Sequence, residues 1–500
     1  MIRSVFVREG GEYAVRTTVP ADAERLVWYG AAERSATLRI DAVGEAGTET
    51  IASRPVADRW TRESIDVSRF AGRTVTFAFS SEGGLGFVGA PSIVRRNGAR
   101  APDVVLYLVD LLLATQLGAY GNPRANLSPT IDRIHRDGLA FGRMRSTSPW
   151  TKPAVPTLLT GIHPSVHRVG AESMGDRLPP TVETLQRRFG ARGHRTGSFA
   201  ASPLGSTLSG LDEGFDVAVT PAAFDRAIGP MRHPTAAQLH ERLLAFLDEE
   251  PDRPFFAFVH SLDVHEYKAR MFGSGPGPDD RNYDRAIRQQ DRALGELLDA
   301  LRERRRDVLL VLVSDHGEAL REFGRFGHGI EPYQSQVVVP LVFHWPGHLP
   351  RGTIDDIVSL ADVAPTIVDL YSLPAFAEAD GSSLLRYALE LRPVPVHDFV
   401  TSSREWFVFR ANEPPWFTAE DGSGNKAVRA GDARSSFDLD RDPCELRPAP
   451  PDPAQHGRFD AERERLLARA RAFEARHGHA RVGDHDADDA RRLRALGYAE

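Results

Sequence analysis

Three continuous apolar runs, each ended by polar residues, constrain the fold of this chain most strongly. They lie at 104–109, 255–259 and 308–313, and such runs are typical of strands buried on both faces of a parallel sheet. The segment between 283 and 306 carries apolar residues at helical spacing instead. Strands that alternate with helices predict a doubly wound, mainly parallel α/β domain, whose ligands bind beyond the carboxyl ends of the strands.

The regions before and after these runs predict further structure. Residues 1–98 show short alternating stretches separated by Gly, Asp and Pro turns, a pattern that predicts an N-terminal β-sandwich accessory domain. This region contains three aromatic residues, Trp28, Tyr29 and Trp60. We expect them to belong to the packed core, and a sugar-stacking face is the alternative.

The remaining boundaries follow from composition. We expect a catalytic domain at 102–385, then a small C-terminal α+β subdomain of the same unit at 386–447. Residues 448–500 are expected to form an exposed linker, Pro448 to Pro453, and a tail that is helical from Glu462 to His477.

Charge and cysteine content exclude several classes of function. The 500-residue chain has 62 basic and 69 acidic residues without a concentrated basic stripe, so no nucleic-acid partner is expected. Its one cysteine, Cys444, excludes an internal disulfide framework and a cysteine-rich zinc site. A metal site would therefore use oxygen and imidazole ligands.

Hydropathy predicts no membrane span, because no run approaches the roughly 20 apolar residues that a span needs. Residues 1–19 alternate polar with apolar residues instead of carrying a signal-peptide core. As written, the chain is expected to be soluble and cytoplasmic, with export if the true start lies upstream. The sequence leaves the oligomeric state open.

Acidic and imidazole side chains follow all three buried runs. Asp110 ends the first, His260, Asp263 and His265 follow the second, and Ser314-Asp315-His316-Gly317-Glu318 follows the third. One strand-end aspartate is most often a cap or a solvated turn residue. Three strand ends that carry such groups predict a divalent-metal site, with His260 and Asp263 as the weaker candidates.

A candidate nucleophile lies in the segment 148–161. Pro153 suits the first turn of a helix and Gly161 its far end, which places Thr151 and Lys152 at the helix start. A helix start favours an anionic substrate, and a threonine hydroxyl becomes a nucleophile when a base or a metal activates it. Taken alone, Thr151 is more simply explained as a helix cap.

The order of these pieces resembles the sulfatase family of the alkaline-phosphatase superfamily. Residues 102 to 375 carry most of the likeness. The matching motifs are Val109-Asp110, Leu117–Gly121, Ser128–Asp132, Leu158–Gly161, Ser314–Glu318, Phe326–Gly329, Val339–Leu341, Trp345–Gly347, Asp380–Leu384, Phe437–Leu439, Asp442-Pro443 and Leu493–Tyr498. Each motif is weak by itself, and the combination is specific.

Departures from the family pattern bear on the chemistry that this resemblance implies. Aligning Leu-Leu-Thr-Gly places Thr151 at the nucleophile, where familiar sulfatases carry Cys or Ser as the formylglycine precursor, and Val155 at an arginine. The sulfate-binding Lys and His of the family would fall at Ala201 and Pro203. The resemblance therefore points to the threonine-nucleophile branch, which acts on phosphate esters and transfers phospho-groups from lipids or polymers.

The same resemblance implies a cofactor and residue roles. One divalent ion, Mn, Zn, Mg or Ca, would be held by four ligands: Asp110, Thr151, Asp315 and His316. Further roles follow from charge and not from the resemblance. Lys152 would neutralise a substrate oxyanion, with a solvated charge at the helix start as the alternative. His265 and His328 would contact substrate and protonate the leaving oxygen. Structural, hydrogen-bonded histidines are the alternative for His265 and His328.

We therefore expect a sulfatase-like, metal-dependent hydrolase or phosphotransferase. Its partner would be an anionic phosphate or sulfate ester, with lipid-linked and glycan-linked substrates both open. One further departure supports an alternative: the polar Thr-Leu-Arg-Ala-Asp-His of the family is Leu111-Leu112-Leu113-Ala114-Thr115-Gln116 here. If those polar groups contact substrate, the chain is a catalytically degenerate binding protein that keeps the fold.

Overall fold

A computed structural model describes most of the chain. It covers residues 5–21, 23–44, 47–58, 61–95, 102–124, 126–220, 233–267, 279–321, 324–388, 395–405 and 412–481. These residues form two compact units, one within 1–101 and 386–394, the other within 102–385 and 395–500. The predicted tail motif Leu493–Tyr498 lies outside the described residues.

The first unit contains two four-stranded antiparallel sheets. Its strands are β1 (Val5–Val7), β2 (Glu12–Thr18), β3 (Ala23–Ala32), β4 (Ser35–Gly44), β5 (Gly47–Ala57), β6 (Thr61–Asp66), β7 (Thr74–Glu82) and β8 (Gly86–Arg95). Their order is β1-β8-β3-β6 in one sheet and β2-β7-β4-β5 in the other. Because strands alternate buried and exposed residues, the two inner faces share one apolar core.

Trp28 belongs to this core. Its side chain is fully buried and meets Phe79 edge to face, with ring centroids 6.2 Å apart. The core reading is therefore confirmed for Trp28, whereas Trp60 and the side chain of Tyr29 lie outside the described part of the chain.

The second unit is built on an eight-stranded sheet. Strands after the first unit are β9 (Asp103–Val109), β10 (Leu139–Arg145), β11 (Asp176–Arg177), β12 (Arg195–Ala200), β13 (Val217–Val219), β14 (Phe255–Ser261), β15 (Val308–Val313), β16 (Ala319–Leu320), β17 (Phe326–Gly327), β18 (Leu341–His344), β19 (Gly352–Ser359), β20 (Phe399–Arg404), β21 (Trp416–Asp421), β22 (Asn425–Ala430), β23 (Ala433–Asp438) and β24 (Ala480–Arg481). The large sheet has the order β13-β12-β14-β9-β15-β18-β10-β19, and only β18 runs antiparallel to its neighbours there. The predicted mainly parallel sheet is confirmed.

The three apolar runs form β14, β9 and β15, which lie side by side and parallel at the centre of this sheet. Nearly all of their residues are fully buried, as expected for strands covered on both faces. Their carboxyl ends therefore meet at one edge, where the predicted site residues follow.

Helices cover both faces of the sheet. The described helices are α1 (Pro129–Asp137), α2 (Thr151–Thr160), α3 (Pro164–His167), α4 (Leu185–Gly190), α5 (Ala236–Glu249), α6 (Asp279–Glu303), α7 (Gln334–Val337), α8 (Val363–Leu370), α9 (Leu385–Ala388) and α10 (Pro453–His477). Helices α1 and α5 both pack on α6, while α2, α4 and α8 pack on one another. These two groups are the two helical layers of a doubly wound domain.

The C-terminal part adds an antiparallel sheet, β20-β21-β22-β23, and helix α10, which packs on α3 and β22. The sequence-based start of this helix at Glu462 was wrong, because Asp452 caps the helix nine residues earlier by accepting the Ala454 N–H at 2.9 Å. Ala449 also pairs with Ser436 through the backbone. The predicted linker is thus partly held in the compact unit.

Two buried histidines at helix α3 predict acid-sensitive stability. His163 Nδ1 accepts the Ser165 N–H at 3.2 Å, and His167 Nδ1 accepts the Val169 N–H at 3.0 Å. Burial lowers the pKa of each imidazole to about 3. Below pH 6.5 the two histidines are therefore protonated in the unfolded chain but remain neutral in the folded chain. The free energy of unfolding should then fall as pH falls, by up to about 1.4 kcal/mol per pH unit for each histidine.

Urea unfolding between pH 7 and 4.5 checks this prediction with the variant His163→Asn. The Asn Oδ1 can still accept the Ser165 N–H but does not titrate. The free energy of unfolding should then fall less steeply with decreasing pH. The change in slope should correspond to about one proton fewer taken up on unfolding. An unchanged slope would contradict the assignment.

Candidate active site

The three central strand ends bring two aspartates and two histidines together. Asp110 directly follows β9, His260 lies near the end of β14, and Asp315 and His316 follow β15. All four side chains are at most 1% exposed. His260 Nε2 lies 2.9 Å from Asp110 Oδ2, while His316 Nε2 lies 3.5 Å from Asp110 Oδ1 and 3.7 Å from Asp315 Oδ2.

Thr151 completes this cluster from the first position of α2. Its Oγ1 lies 3.2 Å from both Asp110 Oδ2 and His316 Nε2, and the side chain is buried. The helix-capping explanation is wrong, because the residue at the cap position is Trp150 and Thr151 makes no capping bond. Gly161 ends the helix in the left-handed conformation, as predicted.

The backbone after β15 fixes the tautomer of His316. Its Nδ1 lies 3.0 Å from the Gly317 carbonyl oxygen, so Nδ1 carries the hydrogen and Nε2 presents a lone pair toward Thr151 and the aspartates. The hydroxyl of Ser314 donates to the His316 carbonyl at 2.9 Å, and that of Ser146 donates to the Asp315 carbonyl. The turn that carries both ligands is therefore held from two sides.

The charges of the cluster fit a cation. Within the described residues, Asp110 Oδ1 and Asp315 Oδ2 are buried without a hydrogen-bond partner. Burial and the neighbouring Asp110 raise the pKa of Asp315 to about 6. Burial also opposes ionisation of Asp110, but the hydrogen bond from His260 and the nearby His265 and His316 hold its pKa below the usual range. Donor atoms about 3–4 Å apart match ligands around an ion at about 2.1 Å.

His260 belongs to the cluster, although it was one of the two weaker candidates from the sequence. One ligand atom each from Asp110, His260 and Asp315 lie within 4.8 Å of one another. A side chain at Gly205 would stand 2.2 Å from His260 Nδ1, so only glycine admits the imidazole at this place. Asp263, the other weak candidate, lies elsewhere: its oxygens bind the Ala236 N–H and the Gln289 amide.

Lys152 stands next to Thr151 in the chain but turns away from the aspartates. Its Nζ donates to the Leu208 carbonyl at 2.6 Å, in the loop after β12, and the side chain is fully buried. Burial lowers its pKa to about 7. The contact anchors that loop to α2, and the predicted contact of Lys152 with a substrate oxyanion stays a prediction.

His265 and His328 line the outer side of the cluster. The ring of His328 lies 4.6 Å from that of His316 and 5.4 Å from that of His265, between centroids. The side chain of His328 is 11% exposed, and His265 is half-buried, so both lie closer to solvent than the aspartates. This placement suits groups that meet a substrate arriving from outside.

The residues that depart from the family pattern after Asp110 pack into the protein core. Leu111, Leu112 and Leu113 are all buried among apolar side chains. Leu111 adopts the left-handed conformation, with φ 68°, which costs about 1 kcal/mol or more outside glycine. Tyr283 holds this bend, because its hydroxyl donates to the Leu111 carbonyl at 2.6 Å and accepts the Leu113 N–H at 2.9 Å.

Solved structures share this fold. The phosphonate monoester hydrolase of Agrobacterium radiobacter aligns with a TM-score of 0.58 at 21% identity, over 75% of this chain and 96% of that protein. A putative sulfatase from Bacteroides thetaiotaomicron aligns with a TM-score of 0.62 at 20% identity, over 77% of this chain and 95% of that protein. The fold is therefore that of the alkaline phosphatase and sulfatase class.

The sequence assigns the chain within this class. The family model named Sulfatase matches residues 102–373, and the chain belongs to the sulfatase family. It is 25% identical to human arylsulfatase A over 337 residues, 55% of this chain and 65% of that protein. It is 30% identical to the low-salt glycan biosynthesis sulfotransferase Agl7 of Haloferax volcanii over 253 residues, 47% of this chain and 55% of that protein.

These comparisons confirm the predicted family, the predicted fold and the general class, an ester hydrolase of the sulfatase type. The family in general uses a divalent metal, in keeping with the cluster around Asp110 and Asp315. No helix in the described ranges is both long and apolar enough to cross a membrane.

Proposed function

We propose that this chain cleaves phosphate or sulfate esters with Thr151 as the nucleophile, and that phosphate esters are its better substrates. The observation that carries the proposal is the place of the Thr151 hydroxyl. It stands at the start of a helix, 3.2 Å from Asp110 Oδ2 and from His316 Nε2. A helix start favours an anionic ester group, so nucleophile and substrate would meet at the same point.

In the proposed reaction, Thr151 is the nucleophile and two histidines serve the leaving group. Thr151 would pass its hydroxyl proton to Asp110 Oδ2, 3.2 Å away, while its Oγ1 attacks the phosphorus or sulfur in line with the leaving oxygen. A covalent threonine ester forms as the bond from phosphorus or sulfur to the leaving oxygen breaks. His328 and His265 face the leaving side, where an imidazole that donates a proton releases the alcohol. Water or an acceptor alcohol then attacks the threonine ester and gives its proton to the imidazole that had protonated the leaving oxygen. The bond from phosphorus or sulfur to Thr151 Oγ1 breaks, Oγ1 takes back the proton from Asp110, and the product is released.

The residues that would hold a divalent ion are Asp110, Asp315, His316 and Thr151. His260 adjoins them and groups with the two aspartates. When bound, such an ion supplies charge that favours the ionised threonine and withdraws electrons from the ester oxygens. Asp110 and His316 also orient the hydroxyl, and the dry surroundings strengthen every electrostatic contact at the reacting group.

Three residues argue for phosphate over sulfate. Threonine cannot be converted to formylglycine, the hydrated aldehyde that the resemblance assigns to familiar sulfatases. Ala201 and Pro203, at the positions of the sulfate-binding Lys and His, are buried and apolar. The named activity of the phosphonate monoester hydrolase with the same fold is consistent with chemistry at phosphorus.

Transfer to an acceptor is the second candidate, because the relative from Haloferax volcanii is a sulfotransferase by name. Transfer and hydrolysis differ only in what resolves the threonine ester. A glycan-linked substrate is proposed on the same ground, since that relative acts in glycan biosynthesis by name. A lipid-linked substrate rests on the resemblance to the threonine-nucleophile branch alone. The buried Leu111–Leu113 segment favours the third candidate, a binding protein without turnover.

A panel of esters that share one leaving group tests the substrate preference. Nitrophenyl phosphate and the nitrophenyl ester of phenylphosphonate should be turned over at least ~10-fold faster than nitrophenyl sulfate. This factor corresponds to a difference of about 1.4 kcal/mol in activation free energy. Adding glycerol or a simple sugar as acceptor should divert product from free phosphate to a new ester if transfer competes with hydrolysis. Faster turnover of the sulfate would contradict the preference.

A further inference from the structure

We propose that Glu318 is a positioning residue that holds the imidazole of His328 in one orientation and one tautomer, with Tyr267 bracing the carboxylate from its other oxygen. The inference rests on the proposed function, in which His328 faces the leaving oxygen of the ester. It assigns to the last residue of the Ser314–Glu318 segment a role separate from that of the aspartate and histidine before it.

The contacts around Glu318 carry this inference. Its side chain is fully buried. Oε2 lies 2.7 Å from His328 Nδ1, and Oε1 accepts the Tyr267 hydroxyl at 2.8 Å. Because a carboxylate only accepts hydrogen bonds, the hydrogen of the imidazole lies on Nδ1. Because Nδ1 bonds to Glu318, a proton passed from His328 to a leaving oxygen would come from Nε2 of the doubly protonated ring.

A short hairpin explains why these two residues meet. Strands β16 and β17 pair antiparallel, and Ala319 stands opposite Gly327. The residues just outside this pair, Glu318 and His328, therefore lie across from each other although ten positions separate them. The register of the hairpin fixes the distance between carboxylate and imidazole.

The backbone at His328 shows why the ring needs an anchor. Gly327 and Gly329 on either side both have positive φ angles, 87° and 76°, which only glycine adopts without strain. The Gly329 N–H donates to the Pro149 carbonyl at 2.8 Å, two residues before Thr151. The loop is thus tied to the nucleophile segment, while the orientation of the ring within it depends on side-chain contacts.

Stability alone is a weak reason for such an arrangement. A buried carboxylate is costly to desolvate, and an apolar pair of similar volume often stabilises a fold as well or better. An acid hydrogen-bonded to one imidazole nitrogen instead gives that ring a defined tautomer and orientation, as the acid of a catalytic triad does.

The first experiment reads the tautomer directly, without turnover. In protein labelled with 15N-histidine, the resonances of His328 are assigned by their absence from His328→Gln. We expect Nδ1 to carry the hydrogen in the wild type, and a mixture of tautomers in Glu318→Ala. A wild-type ring that carries its hydrogen on Nε2 alone, or an unchanged tautomer in Glu318→Ala, would overturn the inference.

The second experiment compares leaving groups. If Glu318 acts through His328, both Glu318→Ala and His328→Ala should slow cleavage of phenyl and alkyl phosphates by about 100-fold or more. Nitrophenyl phosphate, whose leaving oxygen needs little protonation, should slow by less than about 10-fold. Equal losses for all esters in Glu318→Ala would indicate a merely structural residue and reject the proposal.

Two further variants guard against misreading a folding defect. Tyr267→Phe removes one hydrogen bond to Glu318 and should move the tautomer and the leaving-group ratio in the same direction by a smaller factor. Tyr120→Phe removes the hydroxyl of a half-buried tyrosine, which accepts the Leu341 N–H at 3.2 Å, and should change neither. If His328→Ala has no leaving-group effect while the tautomer responds to Glu318, the proposed role of His328 fails and the positioning by Glu318 stands.

Discussion

Thr151→Ala is expected to abolish ester turnover, with a loss of at least ~10³-fold for every ester in the panel. The substitution removes the oxygen that attacks the ester, and no other described hydroxyl lies within hydrogen-bond distance of both Asp110 and His316. It leaves the helix start intact, because Trp150 is the cap residue and Pro153 stays in the first turn. The free energy of unfolding should therefore change by only about 1 kcal/mol, the net value of a lost hydrogen bond.

Two variants make this result specific. Thr151→Ser keeps the hydroxyl and should retain measurable activity. Thr157→Ala removes another buried threonine hydroxyl of the same helix, which lies 3.1 Å from His167 Nε2, and should keep turnover within about threefold of the wild type while losing similar stability. Intact mass after rapid acid quenching should reveal a phosphoryl adduct on the wild type and none on Thr151→Ala.

The outcome also separates enzyme from binding protein. Wild-type activity in Thr151→Ala would show that the nucleophile is assigned wrongly. A wild type that binds metal but shows neither adduct nor turnover with any ester would favour the binding-protein alternative. The buried Leu111–Leu113 segment would then be the physical reason, since its apolar side chains pack in the core where the family carries polar groups.

The fold could be predicted because its central strands are unambiguous in sequence. Continuous apolar runs form strands that are buried on both faces, and β14, β9 and β15 lie adjacent as their polar ends implied. The start of the C-terminal helix was harder to predict, because residues 453–461 lack an apolar stripe as clear as that of 462–477. The cap at Asp452 was the available signal.

Some site residues could be predicted from the sequence and others could not, depending on whether they follow a regular helix or strand. Asp110, Asp315, His316 and Thr151 follow regular elements, so their convergence could be expected from strand ends and a helix start. His260 depends on which side of β14 faces Asp110, and Glu318 depends on the register of a two-residue hairpin. For Lys152 the prediction from sequence was less informative. Its position beside Thr151 in the chain does not indicate that its ammonium donates to the Leu208 carbonyl.

We expect the wild type to bind about one divalent ion per chain, and Asp315→Asn to remove it. Among the described residues, Asp110 Oδ1 and Asp315 Oδ2 are buried without a hydrogen-bond partner. If both bind the ion, loss of one anionic ligand should weaken binding by more than the about 10–100-fold that loss of an outer partner costs. His260→Gln, which removes the imidazole 2.9 Å from Asp110 Oδ2, should weaken binding by a smaller factor if His260 only supports the ligand. Elemental analysis and equilibrium dialysis with Mn²⁺, Zn²⁺, Mg²⁺ and Ca²⁺ measure both, with Asp263→Asn as the control acid that should bind as the wild type does.

The same variant should affect stability in opposite directions with and without metal. In metal-free protein, the raised pKa of Asp315, about 6, means that the folded state loses stability as pH rises from about 4 to 6, by about 1.4 kcal/mol for each unit of pKa shift. Asp315→Asn removes that cost, so at pH 7 the metal-free variant should melt above the metal-free wild type. With the ion at 100 times its Kd, the wild type gains about 2.7 kcal/mol from binding and the order should reverse. A folded wild type that takes up none of the four ions, or a variant that melts below the wild type under both conditions, would show that these carboxylates serve the fold and not a metal.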